Sequence, residues 1–171
     1  MDEEFDVIVI GGGPAGENVI GRCADGGLEV GLVEHELVGG ECSYWGCIPS
    51  KTLIRPGDAL TAARRVPGAA EAVTGSLDAS AAFARRDYMV NNWSDSSQVG
   101  WLNSKSIAVV RGRGRIAAER VVEVEVSDGS ARTLRARRAV VLGTGTGPAI
   151  PPIDGLRDIS VWDNRDVTSA K

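Results

Sequence analysis

Cys42 and Cys47 stand five positions apart in the segment Gly39-Gly40-Glu41-Cys42-Ser43-Tyr44-Trp45-Gly46-Cys47-Ile48-Pro49-Ser50-Lys51, and two thiols at that spacing could carry two-electron thiol–disulfide chemistry. On a regular helix, residues five apart have Cα atoms about 8 to 9 Å from each other by rise and radius, whereas a disulfide needs less than about 7 Å. Joining the pair therefore distorts a helical turn, and Gly46 is the natural place for the distortion. A bridge closing so short a loop constrains the unfolded chain by only about 2 kcal/mol before strain is subtracted. It would be a poor staple and a good electron acceptor, because strained disulfides sit at the oxidising end of the range. A helix amino end beneath the pair would favour thiolate over thiol. The same residues admit three plainer readings: two free thiols without chemistry, half of a zinc site, or a purely structural disulfide. Zinc lacks partners, since His35 is the only histidine and Cys23 falls where a first helix would bury it. A structural bridge does not suit the reducing cytoplasm.

The second constellation is Gly11-Gly12-Gly13-Pro14-Ala15-Gly16, in which Gly11, Gly13 and Gly16 match G-x-G-x-x-G directly after an apolar β-branched run and ahead of a helical stretch. The first glycine lets the chain turn, the second lets backbone approach a pyrophosphate, and the third brings helix and strand together. The helix amino end then offers free N–H groups and a partial positive charge to phosphates. Glu34 follows the second strand, 18 residues after Gly16, where a carboxylate would accept hydrogen bonds from adenosine ribose hydroxyls and repel a 2′-phosphate. FAD and NAD present the same adenosine diphosphate half, so these residues leave the two cofactors undistinguished, and a glycine-rich turn without any ligand stays open beside them.

Taken together, Gly-Gly-x-Cys-x-x-x-Gly-Cys-x-Pro-Ser-Lys behind a glycine-loop β-α-β unit resembles the class I pyridine nucleotide-disulfide oxidoreductases, which include dihydrolipoyl dehydrogenase, glutathione reductase, mycothione reductase and mercuric reductase. The resemblance covers essentially the whole chain, through Gly143-Thr144-Gly145 and Pro148 to Gly155. It implies that the cofactor is FAD and that a Cys42–Cys47 disulfide lies against the flavin. Cys47 would make the charge-transfer contact, Cys42 would be the interchange thiol that attacks a small-molecule disulfide or related substrate, and Lys51 would sit near the flavin N5 region. FAD contacts would come from Gly11, Gly13, Pro14, Ala15, Gly16, Glu34 and His35, then from Gly40, Glu41, Cys42, Gly46, Cys47 and Lys51. The Gly112-Arg113-Gly114 turn would touch adenine through its backbone, and Thr144 and Gly145 would line the FAD cleft. Family members pass a hydride from NAD(P)H to FAD, then two electrons to the disulfide, then to the substrate.

The departures from that pattern shape the expectation. The sequence ends at Lys171, where the family's nicotinamide domain begins, and it holds no second glycine fingerprint. NAD(P)H would therefore act only through a further domain, and His35, beside Glu34, cannot replace the His-Glu base of the family's interface domain. Complete turnover by this chain alone is not expected. The alternatives are a non-catalytic FAD-binding module or half of a split enzyme, with a homodimer or a complementing chain as partner. Ile20 stands where the family has a small residue, which would loosen helix–sheet packing, and Gly143 replaces a common alanine.

The elements that must position these residues follow from the pattern. Phe5 to Ile10 reads as a buried strand, a helix runs from the glycine loop to about Asp25, Gly26-Gly27 stops it, and Glu29 to Val33 forms a second strand. One helix is expected from near Cys42 toward Arg65, with interruptions at Pro49 and Pro56, and one amphipathic helix from about Asp78 to Trp101. Ile107–Val110, Val121–Val126 and Thr133–Arg137 read as a small antiparallel meander with a hairpin at Asp128-Gly129. Ala139–Leu142 returns to the parallel sheet, and the tail beyond Pro152 shows no strong period. The expected fold is α/β, a Rossmann-like FAD-binding domain over residues 1–155 with a parallel sheet, helices and the small antiparallel β-meander. Residues 156–171 would be a stub leading to an NAD(P)-binding domain.

Composition agrees. In 171 residues there are 22 glycines and only 5% aromatics, which suits tight strand-to-helix turns. Nineteen basic against 23 acidic residues give a net charge of −4, with no field to hold nucleic acid. The Met1-Asp2-Glu3-Glu4 start is acidic rather than signal-like, and no apolar run of membrane-spanning length exists. The expected location is cytoplasmic, with no membrane partner.

Overall fold

A computed structural model describes residues 3–171, in two compact units: one holds the chain through Glu41 together with Ser94–Thr146, the other Cys42–Trp93 with Gly147–Lys171.

The first unit is built on a six-stranded sheet. β1 (Glu3–Ile10) lies between β2 (Val30–Glu34) and β6 (Ala131–Leu142), both parallel to it, and β3 (Ala108–Arg111) extends the parallel edge beyond β2. β4 (Arg113–Ala118) and β5 (Val121–Glu125) add an antiparallel meander on β6, giving the order β3-β2-β1-β6-β5-β4. Both faces are apolar. Phe5, Ile8, Ile10, Val33, Val110, Val122, Val124 and Leu134 pack on one side. Val7, Val9, Val30, Leu32 and Ile107 pack on the other, beneath Ile20 of α1 (Pro14–Asp25) and Leu102 of α5 (Ser96–Ser104). A register shift between Phe5 and Val7 puts Phe5 on the Ile8 face, and Gly31 leaves room for its ring, since a Cβ there would stand 3.0 Å from Phe5. Ile20 is fully buried in this core, so the larger side chain fills the helix–sheet interface rather than loosening it.

Two features of the sheet differ from the sequence expectation. Ile107–Val110 does not begin the meander: Ala108–Arg111 pairs in parallel with Gly31–Glu34, and the chain leaves that edge at Gly112, whose φ of +152° redirects it into β4. A Cβ on Gly112 would stand 2.4 Å from the Glu125 carbonyl oxygen, so that turn requires glycine. The expected strands at 133–137 and 139–142 are one continuous strand, β6, which pairs with β5 over residues 131–135 and with β1 over residues 134–142.

The second unit is helical. α2 (Gly40–Tyr44) and α3 (Cys47–Arg64) replace the single helix expected from Cys42, separated at Trp45-Gly46, where Gly46 has φ −117° and ψ −100°. Pro49 falls in the first turn of α3, where no intrahelical N–H is needed, and Pro56 lies inside the helix. α4 (Ala79–Met89) packs along α3 and is capped by Asp78, which accepts the N–H groups of Ser80 and Ala81. The helix expected over 78–101 is two helices, because Asn91, Asn92 and Trp93 all take left-handed φ of 49° to 55° between α4 and α5. Asparagine tolerates that region better than other side chains, so the paired asparagines were the available signal. α6 (Asn164–Ser169) was not foreseen, although Asp163 and Asp166 form a reciprocal capping box at its start.

Candidate functional site

Within the first unit the glycine loop leaves the end of β1 between its two parallel neighbours. The Gly11 N–H donates to the Val33 carbonyl at 2.8 Å and the Gly143 N–H to the Ile10 carbonyl at 2.8 Å. Gly11 has φ +101°, and a Cβ on it would stand 2.3 Å from the Gly143 carbonyl oxygen. On Gly16 a Cβ would stand 1.9 Å from the Gly11 carbonyl oxygen, so α1 reaches the sheet only because that position is bare. At Gly143 a Cβ would meet backbone at 3.3 to 3.4 Å, tight but passable. Gly13 is different. It is the N-cap of α1, no side chain caps it, Pro14 opens the helix, and a Cβ on Gly13 would meet nothing within 4 Å. The geometry is a helix start that no side chain closes, the kind of end that can accept an anion on its backbone N–H groups.

The expected adenosine-side residues lie around the same loop. Glu34 is buried at the end of β2, and its carboxylate accepts the Gly12 N–H at 2.6 Å on Oε2 and the Glu36 N–H at 2.8 Å on Oε1. His35 Nδ1 is 3.2 Å from Oε1, on an exposed ring. Each carboxylate oxygen has two lone pairs, so Glu34 serves the loop and keeps acceptor capacity for a hydroxyl. Gly112 donates its N–H to the Glu34 carbonyl at 3.0 Å, which brings the one-residue turn at Gly112 beside the end of β2; Arg113 and Gly114, expected in that turn, already belong to β4. Gly39 donates to the Gly12 carbonyl at 2.7 Å, and Gly40, with φ +57°, lies so close that a Cβ would stand 2.9 Å from Gly13 Cα. Glu41 is half-buried, while Thr144 and Gly145 are exposed just beyond β6.

Two residues that hold this region are not legible in the sequence. Asp95 occupies the N-cap of α5 but makes no side-chain cap. Its Oδ2 instead accepts the Val38 N–H at 2.9 Å and the Arg111 guanidinium, and Arg111 also donates to the Glu36 carbonyl at 2.6 Å. The loop between Glu34 and Gly40 is thus pinned by partners 57 and 75 positions away.

Within the second unit, Cys42 lies on α2 and Cys47 is the first residue of α3. Both are free thiols, as is Cys23 on α1. The neighbouring Cys47 side chain, together with burial, pushes the Cys42 thiol above its ordinary range. Lys51, exposed one turn into α3, acts in the opposite direction on Cys42. Ser50, the residue before it, donates its hydroxyl to the Gly46 carbonyl at 2.6 Å, and Thr52 donates to the Ile48 carbonyl at 2.8 Å. These bonds fasten the turn that carries Cys47. Among the described residues no group of three or more His, Cys, Asp and Glu side chains is placed to hold a metal ion, and no helix is long and apolar enough to cross a membrane.

A family model described as pyridine nucleotide-disulphide oxidoreductase matches residues 5–171. The chain is 32% identical over 167 residues to a mercuric reductase of Acidithiobacillus ferrooxidans, covering 96% of this chain and 30% of that protein. It is 31% identical over 161 residues to a dihydrolipoyl dehydrogenase of Acholeplasma laidlawii, covering 92% and 46% respectively. The solved structure of the Cu(II) complex of the HOCl-induced flavoprotein disulfide reductase RclA from Escherichia coli shares the fold. Its TM-score is 0.79 at 22% identity, over 97% of this chain and 34% of that one. The chain spans about a third to a half of the length of these relatives.

Proposed function

The chain belongs to the pyridine nucleotide-disulphide oxidoreductase family, and from that premise we propose that it binds FAD and carries a redox-active Cys42–Cys47 pair. The observation that carries the reading is the pair itself: two thiols five positions apart, one on each side of a break between two helices. The FAD reading is supported by the open helix start at Gly13, framed by glycines whose Cβ atoms backbone would exclude, and by the buried Glu34 carboxylate behind it.

In this reading the α1 amino end, Gly13, Pro14, Ala15 and Gly16 receive the pyrophosphate, Glu34 and His35 face the ribose, and Gly112-Arg113-Gly114 borders the adenine. FAD, when bound, supplies two-electron transfer between a nicotinamide and the dithiol. Cys47 takes the flavin-facing role, and Lys51 favours negative charge nearby. Cys42 is the thiol that attacks a small-molecule disulfide or related substrate, forming a mixed disulfide that Cys47 resolves. NAD(P)H as donor, the substrate and a homodimer or complementing chain belong to the whole protein of this family, and the cytoplasm is the compartment that suits a cycling dithiol.

The test is a visible spectrum of the purified chain with added FAD, before and after dithiol reduction. FAD should remain bound through gel filtration, and a long-wavelength band should appear on reduction. Cys47→Ser should abolish the band and Cys42→Ser should keep it; the reverse pattern would exchange their roles. A colourless protein would remove flavin from the reading.

A further inference from the structure

The sulfurs of Cys42 and Cys47 can approach only because the helix is broken between them, since an unbroken helix would hold their Cα atoms about 8 to 9 Å apart. Something must keep the break open. A backbone carbonyl at the end of a helix is satisfied by water, by a tightened turn or by a side chain, and the carbonyl of Trp45, between the two helices, is taken by side chains of α6. Thr168 donates its hydroxyl to the Trp45 carbonyl oxygen at 3.0 Å, and Asn164 donates its amide at 3.3 Å. The Arg165 guanidinium lies over the Trp45 ring, 4.0 Å from its centroid. Thr168 is itself buried. Its hydroxyl is shared with the Asn164 carbonyl at 2.7 Å, which fixes the rotamer that faces Trp45.

The brace is anchored in turn. Arg86, on α4, is 1% exposed and donates to the carbonyls of Thr168 at 2.9 Å and Ala170 at 2.7 Å. It is held between the rings of Phe83 and Trp93 and pairs with Asp87. A buried guanidinium spent on the last carbonyls of a six-residue helix has no bearing on binding or exchange by itself. It makes sense as the fixed end of a strut whose other end is the Trp45 carbonyl.

We propose that Thr168 and Asn164 are positioning residues for the cysteine pair: by holding the Trp45 carbonyl they keep α2 and α3 apart at Trp45-Gly46 and so set how readily Cys42 and Cys47 join. The proposal rests on the reading of the pair as redox-active. Without the brace the Trp45 carbonyl can re-enter a helical turn, the sulfurs spend less time within bonding distance, and the disulfide becomes easier to reduce. The reaction concerned is complete as written: the two thiols and one oxidised glutathione give the Cys42–Cys47 disulfide and two reduced glutathione molecules, with two protons and two electrons passing to the glutathione sulfurs.

The experiment equilibrates the whole chain, with Cys23 replaced by Ser, in glutathione buffers of graded ratio, and the disulfide is quantified by mass after acid quench and alkylation. Thr168→Val with Asn164→Ala should lower the equilibrium constant for disulfide formation about tenfold, while Thr168→Ser, which keeps the hydroxyl, should stay within about twofold of the parent. The folded state of each variant is checked by near-ultraviolet circular dichroism, and a variant that unfolds is replaced by Thr168→Val alone, expected to lower the constant about threefold. Equal constants in parent and folded variants would overturn the brace. Absence of any Cys42–Cys47 disulfide in the parent would instead overturn the redox reading of the pair.

Discussion

Gly13 and Gly16 are three positions apart in one loop, and the structure predicts opposite consequences for adding one methyl group to each. At Gly16 the added Cβ would stand 1.9 Å from the Gly11 carbonyl oxygen and 3.1 Å from the Gly11 carbonyl carbon. Both are backbone atoms that cannot rotate away, so α1 must lift from the sheet by about 1 Å, at the cost of 1 to 3 kcal/mol typical of overpacking or more. For a chain of this length that corresponds to a fall in melting temperature of about 2 to 4 °C per kcal/mol. At Gly13 the Cβ meets nothing within 4 Å, and the backbone has φ −74° and ψ −178°, open to any L residue. The roughly 0.5 to 1 kcal/mol by which alanine is a poorer N-cap than glycine is offset by about 0.4 to 1 kcal/mol from the reduced entropy of the unfolded chain. The net change should be within about 0.5 kcal/mol of zero. The methyl would nevertheless fill the space through which a pyrophosphate reaches the α1 amino end. Gly13→Ala should therefore leave the melting temperature of the apoprotein unchanged while weakening FAD at least tenfold, whereas Gly16→Ala should lower both. The assay is differential scanning fluorimetry without ligand beside a fluorescence titration with FAD. Unchanged FAD affinity in Gly13→Ala would refute the argument that this open helix end is the phosphate site.

Further tests address other parts of the molecule. Asp95→Ala removes the acceptor that pins Val38 and Arg111, and should destabilise the apoprotein by about 2 kcal/mol, with faster hydrogen exchange at the 36–39 amides as the local readout. Arg86→Met leaves the Thr168 and Ala170 carbonyls without their guanidinium partner and should cost about 2 to 3 kcal/mol, read as a lower urea midpoint at constant slope. Because the Cys47 sulfur holds the Cys42 thiol protonated to higher pH, Cys47→Ala should move the inflection in the pH–rate profile for Cys42 alkylation to lower pH; an unmoved inflection would remove that cause. The Asp6 carboxyl is held well below the usual carboxylate range, first by the Arg137 guanidinium, then by the Glu29 N–H, with Arg138 adding to them. A depressed folded value stabilises above the unfolded one, so Asp6→Asn should be less stable than the parent at pH 6. The gap should narrow as acid takes the solution below about pH 3.9, and urea denaturation at several pH values measures it.

The sequence marked the candidate chemistry-bearing residues because each of them is defined by its neighbours along the chain. A glycine fingerprint, a carboxylate closing the second strand and two cysteines with a glycine before the second are all local patterns, and the first β-α-β unit followed from hydrophobic period and glycine punctuation alone. A distorted turn at Gly46 was implied in the same way, by the reach of a helix against the reach of a disulfide, but the full break into two helices there was not, and the interruptions expected at Pro49 and Pro56 are absent from α3. Tertiary structure decided what depends on partners distant in sequence. Whether Ala108–Arg111 joins β2 or the meander is a choice between two sheet edges, made by a glycine turn and by burial. An aspartate at a helix start reads as a cap, and only the folded chain turns Asp95 toward Val38 and Arg111 instead. The brace from α6 to Trp45 joins residues more than 115 positions apart; no period or motif encodes such a bond, because its geometry exists only once the helices between them have packed.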